Sequence, residues 1–454
     1  MVKLKNNIDM CNGPIFINIL KYTFPLILTG LLQMFFNTAD IIVIGQFRGS
    51  DSVAAIGATT SVCNLLLNLF LGIATGVSAA VANAIGAQDK KRVSNTVHTA
   101  ILIAVIFGVI LTGVTLSLSN FLLNLMDTPK EIIHLSVTYM RIFSLGMTAS
   151  LVYNFSAAVL RASGDTKSPL IYLTIAGIAN VLLNIILVKF FDMNVEGVAI
   201  ATVVSQVLSA ILVIIKLLRL NNECRIKFSM LRIHFAELKR IIIIGVPAGL
   251  QSVMFSLSNV FIQSSINSFG ASAVAGNSAS TNIEGFAFII INSFSHTALN
   301  FTSQNVGAGK YNRISKIYKL NVLVMCGITL SVISVILLFA EKLLGFYITN
   351  DPVAMDYGLL KIRCIGIAYL IGGIMEITTG MVRGLGSSLA PMVISIFCVC
   401  GLRILTVLTL FQIPALHSLE TLYVSYPISW GLCIIFTFII YLRLRKKYKS
   451  NIIT

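Results

Sequence analysis

Three acidic residues of this 454-residue chain fall deep inside long apolar segments: Asp40, Glu284 and Glu376. Four basic residues do the same, namely Arg141, Lys361, Arg363 and Arg403. An ionised group facing lipid costs roughly 3 kcal/mol or more, so each of these should face a cavity or a partner. Asp40, in FFNTADIIVIG, follows Pro25 by 15 residues. Pro25 removes one backbone donor and permits a helix bend. A carboxyl held out of water at such a place is able to bind and release a proton near neutrality. Ringed by neutral oxygens, it is also able to hold sodium, since hard cations prefer oxygen ligands. The alternative is a carboxylate satisfied by a fixed partner such as Arg141 or by backbone groups.

The neutral oxygens are at hand. NVLLN sets Asn180 and Asn184 four residues apart, on one helical face, and VAIATVVSQ adds Thr202. Taken alone, two asparagines at this spacing are more often glue between helices than ligands. With Asp40 beside them they become ligands for a coupling cation or proton. Glu284 in SASTNIEGF and Glu376 in GGIMEITTG are candidates for substrate or proton binding, or for hydrogen-bonded structural roles. Arg141 and Arg363 occupy matching places 222 residues apart, which suits cavity lining or snorkelling to the surface. With Arg403, these charges do not demand a purely cationic substrate. No paired acids, Ser/His/Asp set or metal-ligand spacing occurs, and the eight cysteines read as packed, reduced thiols. No catalytic centre, metal site or cofactor is expected beyond a coupling ion, H+ or Na+.

The segments that position these residues dominate the composition. Only 11% of residues are charged, 56% are apolar, and the mean hydropathy is +0.90. Ordinary soluble domains carry roughly 25% charged residues. Twelve stretches reach the ~20 residues that a membrane helix needs: 22–45, 53–85, 93–119, 131–160, 169–190, 195–219, 241–268, 272–305, 317–339, 353–382, 391–411 and 420–442. They are far too long for barrel strands, so the expectation is an all-α polytopic membrane protein. Placing the N-terminus inside puts 25 of the 33 basic residues on the cytoplasmic side, from Lys3, Lys5 and Lys21 through to Lys449. Four lie outside: Arg48, Lys130, Lys189 and Lys342. The positive-inside rule then makes both termini cytoplasmic, and the net charge of +16 ceases to indicate nucleic acid. No cleavable signal peptide is expected.

The chain also repeats itself. GAQDKKRVS at 86–94 matches GAGKYNRIS at 307–315, and LRASGDTKSP at 160–169 matches VRGLGSSLAP at 382–391. Pro25 pairs with Pro247, and Glu196 with Glu420, at nearly the same offset. The expected organisation is an N-lobe of six helices over 1–220, a cytoplasmic linker at 221–240, and a C-lobe of six helices with a basic tail over 241–454. Six is even, so the two lobes are parallel repeats, which suits alternating access.

These features together resemble the multidrug and toxic compound extrusion (MATE) family over essentially the whole chain. The resemblance rests on twelve helices in two lobes, Pro25 and Asp40 in helix 1, GAQDKKR after helix 2, LRASGDTKSP after helix 4, and VEGVAIATVVSQ entering helix 6. It implies export of small organic compounds, often cationic and amphipathic, driven by proton or sodium entry. It also implies a monomer of the cytoplasmic membrane, with lipid around it and no nucleic-acid partner. The family's N-lobe cation site, matched residue by residue, falls on Asp40, Asn180, Asn184 and Thr202. Many members have Asp where this chain has Asn184, so sodium finds less compensating charge and a two-acid relay is excluded. The acids that NorM-type members place in helices 7 and 10 correspond here to Phe255 and Gly372. Glu284 and Glu376 therefore cannot inherit those roles. The rival readings are a lipid-linked oligosaccharide flippase, which would use the embedded basic residues, and, more remotely, a membrane-embedded transferase.

Overall fold

A computed structural model describes residues 7–126, 128–348 and 351–450; Lys3 and Lys5 of the charge argument lie outside the described residues. Every element among these is helical. The first half contains α1 (Ile15–Arg48), α2 (Ser50–Gly86), α3 (Lys90–Leu125), α4 (Ile133–Leu145), α5 (Met147–Ala162), α6 (Lys167–Ile185) and α7 (Val195–Leu218). The second contains α8 (Phe235–Asn267), α9 (Ala271–Gly307), α10 (Tyr311–Leu338), α11 (Ala340–Gly345), α12 (Pro352–Ile365), α13 (Tyr369–Gly384), α14 (Leu389–Ser395), α15 (Leu402–Leu408) and α16 (Leu419–Ser450). A π-helical turn, Ile186–Phe190, prolongs α6, and another, Ile396–Gly401, joins α14 to α15.

Nine helices among the described residues are long and apolar enough to cross a membrane, and two bent pairs raise this to eleven. The bends split expected single spans. The stretch at 131–160 turns by 46° between α4 and α5, and that at 353–382 by 51° between α12 and α13. The remaining expected span, 272–305, forms α9. It is less apolar than the other spans, yet its 37 residues extend about 55 Å. α1 runs unbroken through Pro25.

The chain divides into two compact units. One holds Phe24–Gly249 with the segment ending at Asp9; the other holds Met10–Thr23 with the segment starting at Leu250. In the first unit, small residues let helices meet backbone to backbone. A Cβ on Gly72 of α2 would sit 2.1 Å from the Gly249 nitrogen, and one on Gly245 of α8 would sit 2.6 Å from Ile73 Cα. The second unit does the same on α13, where a Cβ on Gly380 would fall 2.5 Å from the Ser295 carbonyl oxygen. In lipid, where burying apolar surface gains little, such close packing is what holds helices together.

The repeat reappears in the backbone. Left-handed residues occur in pairs at nearly the same offset: Gly49 (φ 83°) with Gly270 (φ 91°), Gln88 (φ 56°) with Gly309 (φ 67°), and Gly164 (φ 91°) with Gly386 (φ 87°). Four of these six are positions where the half-chains also align as text, in the loops after the second and fourth expected spans of each half.

Candidate functional site

Three helices of the first unit bring together the residues that the sequence singles out around Asp40. α1 supplies Asp40, α6 supplies Asn180 and Asn184, and α7 supplies Thr202. α6 and α7 are antiparallel neighbours, and their asparagines and threonine face one another. The approach of α1 to α6 depends on Gly177, one turn before Asn180. The Phe36 ring fills the space where a Cβ of residue 177 would be, 1.8 Å from its Cε2.

The polar groups form one directed chain. Asn184 Nδ2 donates to Asp40 Oδ1 and, at 3.4 Å, to Asn180 Oδ1. Asn180 Nδ2 donates to Thr202 Oγ1 at 3.4 Å, and Thr202 donates to the Val198 carbonyl at 2.9 Å. Asn180 and Asn184 are buried, at 4% and 0% exposure, whereas Asp40 is half-buried. Among the described residues Asp40 has no cationic partner within ion-pair distance, and Asn184 Oδ1 is buried without a hydrogen bond. Arg141, the alternative fixed partner, is exposed and donates from Nε to Ser119 Oγ at 3.2 Å.

Chemically, this is one carboxylate among neutral amides and a hydroxyl. Asn184 can serve both protonation states of that carboxyl. Its amide N–H donates to the carboxylate, and a half-turn of the amide would present Oδ1 to a carboxylic acid O–H. An aspartate at the same position accepts only, when ionised. The oxygens present are of the type that sodium takes, but they carry a single negative charge.

The second unit holds another buried cluster. Glu284 of α9 pairs with Lys361 of α12 at 3.3 Å, and Tyr369 donates its hydroxyl to Glu284 Oε2 at 3.2 Å. Lys361 Nζ also donates to Thr281 Oγ1 at 2.6 Å and to the Asn277 carbonyl at 3.4 Å. Arg403 is buried with its guanidinium 3.8 Å from the Tyr426 ring centroid and 5.7 Å from that of Trp430, and it donates to Asn259 Oδ1 at 3.4 Å. Glu376 is half-buried, and its backbone carbonyl accepts from Ser295 Oγ at 2.9 Å. Arg363 is exposed.

Sequence reasoning recognised Glu284, Lys361 and Arg403 as deep charges but not as members of ordered pairs. Tyr369, Tyr426 and Trp430 escaped it because an aromatic residue in an apolar span carries no mark of its neighbour. Gly177 escaped it too, although a small residue one turn from Asn180 on the same face was a usable signal.

The MatE family model matches residues 25–186 and 247–409. A probable multidrug resistance protein, YoeA of Bacillus subtilis, is 25% identical over 419 residues, covering 90% of each chain. The multidrug export protein MepA of Staphylococcus aureus is 23% identical over 435 residues, covering 96% of this chain and 95% of its own. A solved multidrug resistance MATE family transporter of the MOP superfamily, in an outward-facing conformation, superposes over 100% of both chains with a TM-score of 0.91 at 21% identity.

Proposed function

Because the chain belongs to the MatE family of multidrug efflux transporters, we propose that it is a secondary antiporter that exchanges small organic compounds for protons, with Asp40 as the proton carrier. It is a multi-pass membrane transporter and not an enzyme. The 25 to 4 distribution of basic residues supports a cell-membrane topology with both termini in the cytoplasm. Small organic compounds are the substrates that its relatives' names support, and the family resemblance favours amphipathic cations among them. Of the two coupling ions, the proton fits better.

The observation that carries this reading is the contact of Asn184 with Asp40: a lone carboxyl met by an amide that complements it with or without a proton. Sodium would need to be neutralised by that one carboxylate, and the buried Asn184 Oδ1 and Asn180 Oδ1 add no charge. Coupling requires that proton and substrate each favour a different conformation, since a ligand with equal affinity for both shifts nothing. Asp40 sits on the same helix as Pro25, which leaves the Lys21 carbonyl without its usual backbone donor, and Thr29 Oγ1 donates to the Pro25 carbonyl at 2.7 Å in the following turn. The proposed sequence is that a proton entering from outside discharges Asp40, α1 repacks around Pro25, and substrate is released outward. The return follows deprotonation to the cytoplasm.

The test is uptake of a fluorescent lipophilic cation into inside-out proteoliposomes under an imposed pH gradient. Asp40→Asn should abolish gradient-driven accumulation while leaving the protein monodisperse and folded. Undiminished accumulation by that variant would remove Asp40 from the mechanism.

A further inference from the structure

The α6–α7 pair carries a second feature, remote from Asp40, at the end where α6 starts and α7 stops. A recess of about 450 Å³ opens there between Tyr172 on α6 and Leu212, Lys216, Arg219 and Asn221 on and after α7. The two cations differ in their commitments. Lys216 reaches Asp165 at 3.8 Å, but Asp165 is already engaged by the backbone N–H and hydroxyl of Ser168 at 2.9 and 2.6 Å. Arg219 is exposed, and among the described residues its guanidinium makes no hydrogen bond or ion pair. Antiparallel packing sets the positive end of α6 beside the negative end of α7, so the helix dipoles offset one another. The side chains therefore set the potential, and it is positive.

Away from the recess the surface turns apolar. Ile171, Ile175 and Ile178 on α6 stand 45–53% exposed, and Val204, Val207 and Ile211 on α7 are 40–50% exposed. These spacings put each set on one helix face, running from the recess into the depth of the span. A pair of cations at the helix end, Tyr172 and Asn221 beside them, and an apolar face leading inward match one chemistry. It is that of a phosphate ester joined to hydrocarbon chains.

We propose that this recess is a binding site for an anionic phospholipid, with the headgroup phosphate held by Arg219 and Lys216 and the acyl chains along α6 and α7. A soluble phosphate would satisfy the cations but leave the apolar face unused. On the topology that the 25 to 4 distribution of basic residues supports, the site lies in the cytoplasmic leaflet; the binding itself depends neither on that topology nor on the transport reading. Basic recesses between membrane helices gain about a factor of five per lysine or arginine from an anionic headgroup.

Purified full-length protein in a non-ionic detergent would be titrated with phosphatidylglycerol, phosphatidylcholine and glycerol phosphate, with lipid adducts read by native mass spectrometry. No ion gradient is needed, so the result is independent of the transport mechanism. Phosphatidylglycerol should bind in preference to phosphatidylcholine, and glycerol phosphate should not compete at equal concentration. Arg219→Ala should weaken phosphatidylglycerol binding about fivefold, Arg219→Lys should largely preserve it, and the Lys216→Ala/Arg219→Ala double variant should lose roughly 25-fold. Lys91→Ala, an exposed cation of α3, should change nothing. Equal affinity for the two lipids, or Arg219→Ala binding like wild type, would overturn the site. Competition by glycerol phosphate would overturn its assignment to lipid. Should the double variant fail to fold, the two single substitutions at Arg219 still decide the matter.

Discussion

At the scale of single residues, the two clusters use buried charge in opposite ways. Asp40 is left with neutral partners, whereas Glu284 is locked to Lys361 at 3.3 Å with a tyrosine hydroxyl on the same oxygen. A charge with neutral partners is one that a proton can come and go from. A buried pair is one whose partner leaves only at a cost of roughly 3–5 kcal/mol. Lys361→Met should therefore destabilise the protein strongly, and adding Glu284→Gln should restore much of the loss. Thermal unfolding in detergent would show the single variant falling well below wild type and the double variant recovering. A single variant as stable as wild type would mean that the pair is not closed. These roles were only partly legible in the sequence. A lone Asp after Pro25 in an apolar run announces itself, as do Glu284 and Lys361 taken singly. Their pairing joins residues 77 positions apart on separate helices, and no periodicity reports that.

At the scale of helices, the geometry of the Asp40 cluster is set by a missing side chain. Gly177 lets the Phe36 ring lie against α6, which brings Asp40 to Asn184. Gly177→Ala forces Phe36 to move, at an overpacking cost of about 1–3 kcal/mol. Transport should fall severalfold, and Phe36→Leu in the same chain should recover part of it. Vesicle transport by the single and double variants would check this, with an unaffected Gly177→Ala variant counting against the packing argument. The bends between α4 and α5 and between α12 and α13 show what sequence reading misses at this scale. Both halves of each pair are apolar, so a search for twenty apolar residues passes through the break without noticing it. α9 reads as the span 272–305 although buried Asn277, Glu284, Asn300 and Asn305 make it more polar than its neighbours. The repeat, by contrast, was legible because part of it is written in loop residues whose left-handed backbone favours glycine, as at Gly164 and Gly386.

At the scale of the whole molecule, one carboxyl limits the work done per cycle. A single charge crossing 100 mV supplies about 2.3 kcal/mol, roughly a 50-fold gradient of a neutral substrate. Exchange of one proton for one univalent cation moves no net charge, so the membrane potential drops out and each pH unit supports about tenfold accumulation. With the potential clamped by potassium and valinomycin, accumulation of a univalent cation should follow the pH gradient alone. A steady state that shifts with the clamped potential would require more than one proton per cycle and hence a second carrier.

The role of Asp40 is open to a more direct measurement than transport. If proton and substrate favour different conformations, each must weaken the other's binding by the same factor. Adding tetraphenylphosphonium to the purified protein in weakly buffered detergent near neutral pH should release up to one proton per molecule bound. Asp40→Asn should bind the same cation and release none. Proton release of equal size from that variant would contradict the assignment of Asp40 as the carrier.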